Sequence, residues 1–177
     1  WLARYWAERG FKPTIIAPSM AEAELPTAPV VGIRASKGSG KTTRAARWVA
    51  EISRVLAPTH RRSLGVSMAN RLGLVWLNGL DRGPGGSSFV EAADGSIQQW
   101  EGLPPRLSLC LDSLLTIRPQ DYAGMVLLID EAEQSLNHLL TSATCRDKRG
   151  LLIQRLQQLV ACCSQVVTRE AILAALS

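Results

Sequence analysis

The sequence is poor in the residues that build metal sites and disulfide frameworks. It holds four cysteines and two histidines in 177 residues, with no CxxC pair and with His60 and His138 far apart. The usual ligand spacing of a structural zinc site is therefore missing, and no structural metal is expected. Cys110 falls in the apolar run Leu107 to Leu111, and Cys162 and Cys163 follow a helical pattern. Buried reduced thiols, and with them a cytoplasmic setting, are the expectation. Long apolar runs are missing too. Nothing approaches the roughly 20 apolar residues that span a bilayer, and the opening WLARYWAERG is no signal peptide. Membrane attachment is not expected, and no internal repeat is visible.

Acidic residues are outnumbered, 15 against 20 Lys and Arg, which gives a net charge of +5. Such an excess favours a polyanionic partner through counterion release, and it is equally consistent with an ordinary solvated surface. What the chain does have is apolar material, 46% of its residues, enough for one domain with its own core. It starts on Trp rather than Met and ends on the apolar REAILAALS, so an excerpt from a longer polypeptide is expected.

Residues 1–29, rich in Ala, Glu and Pro towards their end, are expected to form a lead-in or linker, and residues 30–177 a single domain. The β-branched run Val30 to Ala35 leads into a glycine loop and then an amphipathic helix, Thr42 to Ile52. A second apolar run, Ser53 to Ala57, is broken by Pro58-Thr59, and helical spacing resumes from Arg61 to Leu72. Between Asn78 and Pro105, Ser88 to Val90 and Ile97 to Trp100 flank a turn at Asp94-Gly95, which predicts a small inserted hairpin. Leu107 to Leu111 and Met125 to Ile129 are expected to be buried strands, with Asp112 or Ser113 capping a helix after the first. Helices over Glu131 to Leu140 and Asp147 to Cys162 precede a short strand, Gln165 to Thr168. Strands alternating with helices predict an α/β fold: a mostly parallel sheet with helices on both faces and ligands at the carboxyl ends of its strands.

Ala35-Ser36-Lys37-Gly38-Ser39-Gly40-Lys41-Thr42 matches the Walker A pattern except that alanine replaces the first glycine. Gly38 and Gly40 permit backbone angles that aim successive N–H groups at phosphate oxygens, and the following helix adds its positive N-terminal end. Lys41 would reach the terminal phosphates of ATP, the Thr42 hydroxyl would coordinate Mg²⁺, and Thr43 continues the cradle. The plainer alternative is a Gly/Ser turn entering a helix. Downstream, Val126 to Ile129 delivers Asp130 and Glu131 at the carboxyl end of a strand. Asp130 would hold Mg²⁺ through a water, and Glu131 would orient and deprotonate the water that attacks the terminal phosphate. Its competitor is a helix cap with favourable charges in the first turn. Together the two motifs predict a P-loop NTPase (RecA-like) domain that hydrolyses ATP, with Lys41 and Glu131 as its catalytic pair.

With GSGKT, VLAPTHRRSLGVSMANRLGL, LCLDSLLTI and LLIDEAE in that order, the chain resembles the first motor domain of superfamily-2 helicases. More narrowly, it looks like herpesvirus-type origin-binding helicases and cyanobacterial-type plasmid replication proteins. The resemblance runs from about Val30 to Thr168. It implies an ATP-driven DNA motor in replication initiation or plasmid replication, with single-stranded DNA as partner and a second motor domain in the same parent chain. It also implies a DNA track near Thr59, Arg61, Arg62, Asp112 and Ser113. Physically, Thr59 to Ser63 offer hydroxyls, two guanidinium groups and a helix start to phosphate oxygens, or else form a capped, solvated helix start. Ser113 could instead cap a helix, and Asp112 could repel phosphate.

The chain also departs from that pattern. Ser142-Ala143-Thr144 spells a helicase motif, but it follows DEAE too closely and is treated as coincidence. After Thr168 stands Arg169-Glu170-Ala171, which names no γ-phosphate sensor. Arginine fingers would come from the second motor domain, so isolated activity should be poor. Trp100 is the one tryptophan considered for DNA or partner contact, while Trp48 and Trp76 are expected to pack. An ATP-driven switch or assembly factor that does not translocate on DNA is the competing function.

Overall fold

The computed structural model describes residues 27–36, 38, 40–77, 79–82, 87–91 and 95–172. Most of the expected lead-in, residues 1–26, lies outside them. The chain is α/β. Strand β1 (Val30–Ser36) precedes α1 (Lys41–Ala50), β2 (Val55–Thr59) precedes α2 (Arg62–Leu72), and β3 (Val75–Trp76) follows. Next come β4 (Gly79–Arg82), β5 (Ser87–Glu91), β6 (Ile97–Glu101) and β7 (Arg106–Cys110). After two 3₁₀ segments, Leu111–Thr116 and Pro119–Tyr122, the chain forms β8 (Val126–Asp130) and α3 (Ala132–Thr141). A third 3₁₀ segment, Ala143–Lys148, leads into α4 (Arg149–Cys162) and β9 (Gln165–Ile172).

Six strands form one sheet in the order β1-β9-β8-β2-β7-β3, and every pairing in it is parallel. The central strands β2 and β8 run without apolar-polar alternation because both faces are covered; β2 is buried at all five residues. Neighbouring residues of one strand serve opposite cores. Val126 and Leu128 of β8 pack with Ala45 and Val49 of α1 and Met68, Ala69 and Leu72 of α2. Leu127 and Ile129 pack with Leu139 of α3, Leu152, Leu156 and Leu159 of α4, and the 3₁₀ residues Leu111, Leu114 and Tyr122.

The expected inserted hairpin is the β5–β6 pair, and it carries a third antiparallel strand, β4, beyond the two expected. Pro58 does not end β2. It stands inside the strand opposite Leu109, and pairing of β2 with β8 is confined to Val55 and Leu56, so past that point β2 is bonded only to β7. The segment after β7 is a 3₁₀ turn whose N-cap is Cys110; neither Asp112 nor Ser113 caps it, because both lie within it.

Arginine side chains hold the connections together. The Arg106 guanidinium donates to the carbonyls of Val49, Ile52, Leu72 and Gly73, closing the C-terminal ends of α1 and α2 at once. Cationic donors suit those ends, where unpaired carbonyls and the helix dipole concentrate negative charge. Arg149 donates likewise to Leu139 and Ser142 at the end of α3, and Arg155 to Leu115 and Ile117.

Candidate functional site

The sheet order decides which chain segments meet. Strand β9 lies between β1 and β8, so the glycine loop leaving β1 and the acid pair leaving β8 open on the same carboxyl edge, one strand apart. In the turn from β1 to α1, Gly38 and Gly40 have φ of 80° and 82°. A Cβ added to either would meet nothing within 4 Å among the described residues, so the space over these glycines is open to them. Gly40 is the N-cap of α1 and offers no side chain to its first N–H groups. Of the remaining cradle positions, Lys37 and Ser39 lie outside the described residues, and only the backbone of Ala35 and Ser36 is described. Lys41, Thr42 and Thr43 form the first turn of α1, with Lys41 and Thr42 half-buried.

Asp130 is the last residue of β8, and both of its carboxylate oxygens are engaged. Oδ1 accepts the Glu131 backbone N–H at 3.1 Å, and Oδ2 pairs with Arg169 Nη2 at 2.6 Å. Glu131 follows with φ 47° and ψ 55°, the one non-glycine residue at positive φ among the described residues. A left-handed conformation costs a non-glycine residue of order 1–3 kcal/mol and tends to be kept where a site needs it. Here it turns the chain sharply from the strand into α3 and leaves the Glu131 carboxylate about a third exposed at the sheet edge.

Arg169 carries no local signal of a site role, since a charged residue beyond a short apolar run resembles a strand end. It is 1% exposed, inside β9, and opposite Ile33 of β1 and Asp130 of β8. Its Nε and Nη1 have no hydrogen-bond partner among the described residues. An unsatisfied buried donor costs about 1–3 kcal/mol, more when charged, so this guanidinium is held short of acceptors. The Lys41 ammonium is pushed below its usual range, first by burial and then by Arg169, with Asp130 acting in the opposite sense. Lys41, Asp130 and Arg169 thus form one electrostatic unit beside the glycine loop, in which two Arg169 nitrogens lack an acceptor among the described residues. These features fit a polyphosphate, and the Thr42 and Asp130 oxygens fit a hard divalent cation.

His60, just past β2, sits against the acid pair. Ser135 Oγ donates to the Asp130 carbonyl at 3.0 Å, so its single proton is committed, and it accepts from His60 Nδ1 at 3.3 Å. That leaves Nε2 of the neutral ring as an acceptor, buried, without a hydrogen-bond partner among the described residues, and 3.8 Å from Glu131 Oε2. Burial above all, then Arg61 and His138, push the imidazole pKa down, against the pull of Glu131 and Asp130. Because the folded ring resists protonation, the unfolded chain takes up a proton first as pH falls below about 6.5, and stability drops from there. Thermal melts between about pH 7 and pH 5 should therefore decline more steeply for the wild type than for His60→Gln. Equal slopes would remove His60 as the source.

The residues expected along a DNA track divide into two groups. Arg61 and Arg62 are exposed at the start of α2. Thr59 is fully buried, its hydroxyl donating to the Arg61 carbonyl at 3.1 Å. Asp112 is partly exposed and engaged within the chain: Oδ1 accepts from His138 Nε2 at 2.9 Å and from the Cys145 thiol at 3.7 Å, and Lys148 donates to its carbonyl. Ser113 is half-buried beside it. The ligand atoms of Asp112, His138 and Cys145 lie within 4.8 Å of one another. Their separation in sequence follows no metal-binding spacing. A groove of about 460 Å³ runs between the loop after β2 and α3, lined by residues including His60, Arg61, Gln134, Asn137 and His138.

Trp100 packs against the core face that carries α4, as a partly buried side chain of the inserted sheet. Ser142 serves as a local cap, its Oγ accepting the Thr144 N–H at 3.3 Å, which accounts for the misplaced Ser-Ala-Thr. Much of the basic excess is also spent inside the chain. Arg54, Arg106, Arg149, Arg155 and Lys148 donate to backbone carbonyls, and Arg169 pairs with Asp130.

No helix among the described residues is long and apolar enough to cross a membrane. No family model matches the chain. It is similar to an uncharacterised protein of Picosynechococcus sp. strain PCC 7002, 27% identical over 146 residues that cover 75% of this chain. The chain spans 13% of the length of that relative.

Proposed function

We propose that this chain is a P-loop NTPase (RecA-like) domain, the first motor domain of an ATP-hydrolysing DNA helicase of superfamily-2 type. It would act in replication initiation or plasmid replication in the cytoplasm. One observation carries this reading: a glycine loop leaving β1 and an Asp-Glu pair leaving β8 open on one sheet edge with a single strand between them. Gly38 and Gly40, with the space above them open among the described residues, suit the phosphates, and Lys41 suits their charge. Thr42 and Asp130 would hold Mg²⁺, whose contribution is charge neutralisation on the phosphate oxygens. Glu131 would orient the attacking water and take its proton. The exposed Arg61 and Arg62 lie on the same side of the sheet and suit the backbone of single-stranded DNA. A second motor domain would come from the rest of the parent chain, and the 13% coverage of the relative leaves ample length for one.

A second reading, an ATP-driven switch that does not translocate on DNA, is favoured by the internal use of the arginines and by Thr59 and Asp112 being engaged within the chain. Steady-state ATP turnover by the full-length protein, with and without single-stranded DNA or RNA, separates the two. Stimulation by DNA of tenfold or more, in line with a coupled motor, supports the helicase reading; DNA-independent turnover supports the switch. In either case Lys41→Ala should abolish ATP binding or turnover. Wild-type turnover in that variant would remove the site altogether.

A further inference from the structure

We propose that Arg169 is a phosphate-responsive counter-ion: it holds Asp130 closed to a divalent cation until the third phosphate of ATP draws its guanidinium away. The inference rests on the ATP-site reading and deepens it. Strand β9 is the one strand between the glycine loop and the acid pair, and Arg169 stands in it directly opposite Asp130. Its Nη2 pairs with Asp130 Oδ2 at 2.6 Å, and the Glu131 N–H donates to Oδ1, so each oxygen already accepts one donor and the Arg169 charge competes with a cation for Oδ2. The other contact of Nη2, Met68 Sδ at 3.7 Å, is a weak acceptor.

Two further donors of the same side chain, Nε and Nη1, are buried with no acceptor among the described residues. A guanidinium with one carboxylate contact and two idle nitrogens bearing three N–H groups, 1% exposed, is short of acceptors. A terminal phosphate offers three oxygens and matches the planar fork in a bidentate manner. As Arg169 turns to those oxygens, Asp130 Oδ2 is released. A diphosphate supplies no such oxygens at that place, so with ADP the guanidinium stays on Asp130. Cation binding and recognition of the third phosphate are coupled through one side chain, and loss of that phosphate returns Arg169 to Asp130.

The test is nucleotide binding by the full-length protein, measured calorimetrically for ADP and for a non-hydrolysable ATP analogue, each with Mg²⁺ and with EDTA. In the wild type, Mg²⁺ should strengthen binding of the analogue but leave ADP affinity nearly unchanged, giving a preference of roughly tenfold or more for the analogue. Arg169→Gln frees Asp130 and removes the fork. Mg²⁺ should then strengthen ADP binding too, and the preference should fall towards one. Arg169→Lys keeps a cation on Asp130 and protects the fold if Arg169→Gln melts early. With no Nε or second fork nitrogen, it too should lose most of the preference. If both variants keep the wild-type preference and wild-type Mg²⁺ response, Arg169 is only a structural partner of Asp130 and the proposal falls. A folded wild type that binds neither nucleotide overturns the ATP-site reading itself, and this inference with it.

Discussion

Glu131→Gln should bind ATP as the wild type does and hydrolyse it roughly 10²–10⁴-fold more slowly, the usual range for loss of a general base. The amide keeps the size of the carboxylate, but it cannot take a proton at neutral pH. Little else should change. The Glu131 side chain is about a third exposed and, among the described residues, its ion-pair contact is the loose one to His60 at 3.8 Å. Its backbone carries the structural burden: the N–H binds Asp130 Oδ1, and the carbonyl accepts the Ser135 N–H at 2.8 Å. Both survive the substitution, as does the left-handed backbone with its cost. Phosphate release measured beside nucleotide binding distinguishes the outcomes. Wild-type turnover by Glu131→Gln would refute the assignment of Glu131 as base, whereas loss of ATP binding would make it a binding residue instead.

Gly65→Ala should be among the most damaging single-methyl changes in the chain. Gly65 lies in α2 and is buried over the Trp76 indole. A Cβ there would stand 2.0 Å from Trp76 Cζ3, 2.5 Å from Cη2 and 2.7 Å from Thr59 Oγ1. No rotamer of Ala exists to avoid this, and the indole is 4% exposed with helix on one side and sheet on the other. Overpacking of a tight core costs typically 1–3 kcal/mol, occasionally more; with contacts this short, about 3 kcal/mol is expected. In a domain of this size that lowers Tm by roughly 6–12 °C. Combining Gly65→Ala with Trp76→Leu should recover part of the loss, because the smaller side chain vacates the space the methyl needs. A Tm within about 2 °C of wild type would show that α2 moves off the sheet more easily than close packing allows.

The alternation of strands and helices was legible because doubly covered strands produce unbroken apolar runs; Val126 to Ile129 is such a run, and it leads directly to the acid pair. The glycine loop and the acids were legible as local words. What was missed depends on partners distant in sequence. Strand β9 extends four residues past Thr168 because Arg169 is neutralised by Asp130, a contact no local pattern records. Strand β4, Gly-Leu-Asp-Arg, has the composition of a turn and is a strand only by pairing with β5. Asp112 and Ser113 looked like caps because such residues favour helix starts. In the fold, however, Asp112 is engaged by His138, 26 positions away. Burial, the largest single influence, raises the Asp112 carboxyl, but hydrogen bonds from Thr144 and His138, the charge of His138 and a backbone hydrogen bond together bring it below its usual range.

Arg106 sets a mechanical boundary condition on the site. Its guanidinium rivets α1 at Val49 and Ile52 and α2 at Leu72 and Gly73, at the ends of both helices remote from the glycine loop. A rod pinned at its far end cannot slide along its own length, so α1 cannot advance or recoil as a ligand arrives. Compliance is left to Gly38 and Gly40, whose backbone bends without side-chain resistance. The anchored helix thus fixes where the positive end of its dipole points, while the two glycines beside it keep their backbone freedom.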